Sequence, residues 1–84
     1  MEITFHLKAL EQYNYWALHD KKIFKKINEL LKDIIRSPVD GIGKPEQLKH
    51  ELSGYWSRRI TDKDRLVYKF DEDTIVIIRC KNHY

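Results

Sequence analysis

Between Asp20 and Arg36 the apolar positions Ile23, Ile27, Leu30, Leu31, Ile34 and Ile35 recur three and four apart, which lines them up as one stripe of a helix. Lys21, Lys22, Lys25, Lys26, Glu29, Lys32 and Asp33 fill the other side, as expected where one face meets a core and the other meets water. Asp20 suits the N-cap, because its short carboxylate can accept from the first free backbone N–H groups. Ser37-Pro38 ends the helix, since the residue before proline disfavours helical dihedrals. An earlier helix is predicted from about Lys8 to His19. There Leu7, Leu10, Asn14, Ala17 and Leu18 recur at helical spacing, with Tyr13, Tyr15 and Trp16 among them. Ahead of it Ile3-Thr4-Phe5-His6-Leu7 alternates and predicts a short strand.

Beyond the second helix the period changes. Residues 38–47 hold two of the three glycines and both prolines and read as a loop that delivers Glu46. A short strand is predicted over Leu48–Leu52, then a turn at Ser53-Gly54. Tyr55–Thr61 and Arg65–Phe70 flank Asp62-Lys63-Asp64 as a hairpin, Asp71-Glu72-Asp73 turns the chain again, and the β-branched run Thr74–Lys81 predicts a central strand. Two helices followed by an antiparallel meander make an α+β fold, with both helices packed on one face of a small, mainly antiparallel sheet. Alternation assigns the faces. Leu66, Tyr68 and Phe70 should meet the helices, while Arg65, Val67 and Lys69 share the exposed side. Ser57 and Arg59 lie opposite Trp56, Arg58 and Ile60.

The 84 residues, 42% hydrophobic with ten aromatics, suffice for one domain spanning 1–84 with a small core. A single cysteine, Cys80, excludes an internal disulfide framework, fits a reducing compartment, and is expected to pack as a small apolar side chain. The first residues lack a basic stretch followed by an apolar one, and no apolar run approaches the roughly 20 residues of a membrane span. A soluble cytoplasmic protein is the expectation. Net charge is only +3, but its placement is informative. Residues 44–69 carry seven Lys/Arg against four Asp/Glu, interleaved with Tyr55, Trp56 and Tyr68. Cations neutralise phosphates and aromatic faces stack on unpaired bases.

Glu46, Lys49, Arg59, Arg65, His83 and Tyr84 together supply a carboxylate, an imidazole, fixed cations and a terminal aromatic ring. Such a set suits cutting RNA without a metal or cofactor, which needs a base, an acid and positive charge. Each member has a plainer reading. Glu46 alone is a solvated acid, Arg65 and Lys69 alone blunt an exposed sheet, and a histidine next to a chain end is usually idle. His6, His19 and His50 read as structural or exposed. His50-Glu51-Leu52-Ser53-Gly54 is no zinc motif, because its fifth position is glycine. The lysines of the second helix read as a solvated face, with ribosomal RNA contact as the alternative.

Across its full length the chain resembles the YoeB toxins of the RelE/ParE superfamily of toxin–antitoxin systems. The resemblance is carried by Asp20-Lys21-Lys22, Gly43-Lys44-Pro45-Glu46, Leu48-Lys49, the run Ser53-Gly54-Tyr55-Trp56-Ser57-Arg58-Arg59-Ile60, Arg65-Leu66-Val67-Tyr68 and the terminal His83-Tyr84. It implies a compact toxin that enters the A site of the 70S ribosome and cleaves mRNA there as an endoribonuclease, stopping translation. It implies neutralisation by a YefM-type antitoxin, operator DNA contact only through the toxin–antitoxin complex, and self-association into a homodimer. The family's catalytic positions fall on Glu46, Arg65, His83 and Tyr84, and its supporting phosphate-binding positions on Lys49 and Arg59. In that reading Glu46 takes the 2′-hydroxyl proton, His83 protonates the leaving oxygen and Arg65 holds the phosphate. Tyr84 stacks on a base or orients His83. The products are a 2′,3′-cyclic phosphate and a 5′-hydroxyl. A ParE-like toxin that binds DNA gyrase without cutting RNA is the alternative from another class, and an inactive RNA-binding module the third. Glu46 with His83 favours the enzyme, since a pure binder has no use for an acid/base pair.

Overall fold

Asp20 caps the second helix as its side chain predicts. Its carboxylate accepts from Lys22 N and Ile23 N at 3.1 and 3.2 Å. The computed structural model describes residues 1–82, and within it that helix, α2, spans Lys21–Arg36. It buries Ile27, Leu30, Leu31 and Ile34 and ends at Ser37. A first helix, α1, spans Leu7–His19 and follows a strand, β1, at Glu2–Phe5. The remaining strands are β2 (Glu46–Gln47), β3 (Trp56–Arg59), β4 (Arg65–Phe70) and β5 (Thr74–Arg79), with a 3₁₀ turn at His50–Leu52. Both helices cover one face of a five-stranded sheet of order β1-β5-β4-β3-β2. All neighbours are antiparallel except β1 and β5, which run parallel.

Three local expectations change. The helical spacing of Leu7, Leu10 and Leu18 points outward, not into the core: Leu7 is 73% and Leu18 82% exposed. The inward side of α1 is Ala9, Tyr13 and Trp16. Tyr13 is fixed by donating to Asn28 Oδ1 at 2.6 Å, and Trp16 Nε1 donates to Cys80 O at 2.8 Å. Glu46 sits on an edge strand rather than in a loop, because Arg59 N donates to Gly43 O and Leu48 N to Tyr55 O, zipping 46–47 onto β3. Leu48–Leu52 is accordingly no strand, and its last three residues curl into the 3₁₀ turn. Thr74–Arg79 is central as predicted, lying between β1 and β4. Cys80 packs fully buried against Ala9, and burial pushes its thiol up to about 12. Among the described residues no helix is long and apolar enough to cross a membrane.

Candidate active site

Strand register decides which side chains share a face. Directly paired residues point the same way, so Glu46, Ser57, Val67 and Arg79 form one cross-sheet row, and Arg59 with Arg65 forms the next. Both rows are on the side away from the helices, as Leu66, Tyr68, Ile75 and Ile77 fill the core side. Glu46 lies two strands from Arg65 and two residues along, about 10 Å across the sheet and about 7 Å along it at ordinary spacings. Lys49 precedes the 3₁₀ turn and lines the same cleft as Glu46, about 530 Å³ in volume. Glu46, Arg59 and Lys49 are exposed.

Arg65 departs from the expectation. It occupies the outer face but is only 8% exposed, because its guanidinium folds back over the hairpin turn. Nη1 donates to the carbonyls of Thr61, Asp62 and Asp64 at 2.7, 3.2 and 3.1 Å. The charge is thereby fixed in place. The same turn holds the approach to the chain end. Asn82 N donates to Asp64 Oδ1 at 2.6 Å, and Arg65 N donates to Asn82 O at 3.1 Å. Asp64 is itself buried and oriented by the Thr61 hydroxyl, which donates to Oδ2 at 2.9 Å. His83 and Tyr84 lie outside the described residues, while their neighbour Asn82 is tied to the backbone of Arg65.

A second polar cluster, unforeseen from sequence, underlies the Glu46 side. Arg58 is fully buried and all five of its N–H donors are used. Nε donates to the Tyr68 hydroxyl (3.1 Å), Nη1 to Asp33 Oδ2 (2.5 Å) and Ile42 O (3.1 Å), and Nη2 to Ser37 O (2.6 Å) and Asp40 O (3.0 Å). Tyr68 in turn donates to Pro38 O at 2.7 Å. One guanidinium therefore pins the whole 37–42 loop against the sheet. Gly43 closes that loop at φ 79, where a Cβ would stand 2.8 Å from Leu30 Cδ2 and 3.1 Å from Arg59 O. Hydrogen bonds from Arg36, Ile42 N and Arg58 hold the Asp33 carboxyl well below the usual carboxylate range. The available signal was an arginine at an inward strand position, which requires a buried acceptor set.

A small α+β sheet-and-helix fold with a cationic outer face matches known toxins in sequence and in shape. Residues 5–84 match the sequence profile of the YoeB-like toxins of bacterial type II toxin–antitoxin systems, and the chain belongs to that family. It is 54% identical over 84 residues to the toxin YoeB of Streptomyces coelicolor, covering all of both chains. The YoeB dimer of Staphylococcus aureus superposes with a TM-score of 0.94 at 54% identity, over 100% of this chain and 98% of the other. YoeB in the heterotetrameric YoeB–YefM toxin–antitoxin complex of the same organism gives 0.91 at 55% identity, over 98% and 95%.

Proposed function

We propose that the protein is a ribosome-dependent endoribonuclease that cleaves mRNA in the A site by attack of the 2′-hydroxyl on the adjacent phosphate. The observation that carries this reading is the shared outer face of Glu46, Arg59 and Arg65, with Asn82 bonded to the Arg65 backbone. Glu46 accepts the 2′-proton, the step that makes the nucleophile. Arg65, already fixed by the turn carbonyls, presents its remaining donors to a non-bridging phosphate oxygen without reorganising as charge grows there. Lys49, just ahead of the 3₁₀ turn, and Arg59 on β3 add to the field. His83 delivers a proton to the departing 5′-oxygen, and Tyr84 stacks on a base or orients His83. The 2′-oxygen–phosphorus bond forms as the phosphorus–5′-oxygen bond breaks, which leaves a 2′,3′-cyclic phosphate and a 5′-hydroxyl. The family, and the S. aureus dimer and YefM complex, support a YefM-type antitoxin as partner, self-association as a homodimer, and operator contact only within the antitoxin complex.

The experiment is to incubate the protein with translating ribosomes in the presence and absence of antitoxin, map mRNA 5′ ends and assay cyclic phosphate. Cuts inside the A-site codon that vanish with antitoxin are the expected result. Intact mRNA accompanied by gyrase-linked DNA breaks would overturn the reading in favour of a ParE-like action.

A further inference from the structure

We propose that the cleft between the start of α1 and the end of β5 is a second phosphate-binding subsite, which takes the backbone of the RNA strand flanking the cleaved bond. It rests on the ribonuclease reading above. The cleft, about 430 Å³, is lined by His6, Lys8, Gln12, Arg79, Lys81 and Asn82. An adjoining depression of about 250 Å³ shares Lys8, Gln12, Lys81 and Asn82 and adds Glu11 and Tyr15. Three permanent cations thus face one carboxylate. Lys8 and Lys81 form no salt bridge among the described residues.

The walls are fixed. Gln12 Oε1 accepts from Cys80 N at 2.7 Å, which ties α1 to the end of β5. The Lys81 ammonium sits 5.0 Å from the Tyr15 ring centroid and 5.9 Å from that of Trp16, so it is held by two aromatic faces instead of sweeping through solvent. Part of the ordering cost of a phosphate contact is therefore met before binding. Continuity with the candidate active site comes through Asn82, which lines both hollows and bonds to Arg65. Arg79 pairs with Val67 in the same cross-sheet row as Glu46. An mRNA continues past its cleaved phosphate on both sides, and each further phosphate adds charge. On the opposite flank Lys26, Lys44 and Arg59 line a cleft of about 290 Å³. A strand crossing Arg59 and Arg65 then meets cations whichever way it leaves, and the α1–β5 cleft receives one of the two flanks.

The test is binding of a 2′-O-methylated single-stranded RNA, whose blocked oxygen cannot attack, to the full chain over a range of salt concentrations. A single strand loses affinity with a slope of about −0.7 per phosphate neutralised, so Lys8→Gln/Lys81→Gln should shallow the slope by ~1.4. Lys22→Gln/Lys32→Gln, which removes equal charge outside the cleft, should change it by much less. Equal slopes for the two double variants would overturn the subsite. So would unaltered RNA binding by Lys8→Gln/Lys81→Gln alongside weakened binding of the antitoxin, which would assign the cleft to a protein partner. No cleavage enters the measurement, so a protein that cuts mRNA on ribosomes without the slope change loses this subsite and keeps its proposed activity.

Discussion

Arg58 and Tyr68 make the clearest single-residue case. Tyr68→Phe keeps the ring but removes the group that accepts from Arg58 Nε and donates to Pro38 O. Leaving a buried charged donor short of one partner should cost roughly 1–3 kcal/mol, read as a lower urea midpoint with unchanged slope. An unchanged midpoint would mean that the network does not hold the 37–42 loop. Asp33 makes the fold sensitive to acid. Its folded pKa is depressed, so its contribution is complete above the ordinary carboxylate range and drains away as pH falls below it, from about pH 5 downward. Asp33→Asn should flatten that acid limb in urea midpoints measured across pH, and an acid limb as steep as wild type would refute the linkage. For Arg65, whose proposed role is to hold the charge that develops on the phosphate, Arg65→Ala should slow single-turnover cleavage on saturated ribosomes far more than it weakens binding. A wild-type single-turnover rate would remove Arg65 from the mechanism.

At the scale of elements, legibility followed the cleanness of the pattern. Helix α2 was readable to within a residue because its apolar stripe, capping aspartate and Ser-Pro stop all agree. Asp20→Ala should therefore cost about 1 kcal/mol in thermal melts, and no loss would discount the cap. Helix α1 carries apolar residues on two sides, and spacing alone selected the Leu7/Leu18 side, which packing leaves outside. Strand β2 is two residues long, too short for any alternation to register, and its existence depends on bonds to β3 that only the fold supplies. Alternation put Arg65 on the correct face yet said nothing of its return onto the turn. The Asp64–Asn82 bond joins residues 18 apart, beyond the reach of local pattern. On α2, exposed Lys21 and Lys25 are free of such roles, so their Ala variants should weaken ribosome binding and its salt dependence while sparing the chemical step. A slowed chemical step at saturation would contradict this.

In the whole molecule, the helix-covered side of the sheet holds the core and the other side carries the residues of the proposed site. The two meet at the Thr61–Arg65 turn, which fixes the Arg65 guanidinium and tethers Asn82. The proposed mechanism requires this turn to bring His83 and Tyr84 into the same site as Glu46 and Arg65. Removal of His83 and Tyr84 takes away the proposed acid and leaves every described residue of the core cluster in the chain. The decisive measurement is single-turnover mRNA cleavage on ribosomes by the chain ending at Asn82, with thermal melting and antitoxin binding recorded on the same sample. The expected result is a folded protein that binds antitoxin and does not cleave. Near-wild-type cleavage by that folded, truncated protein would contradict it.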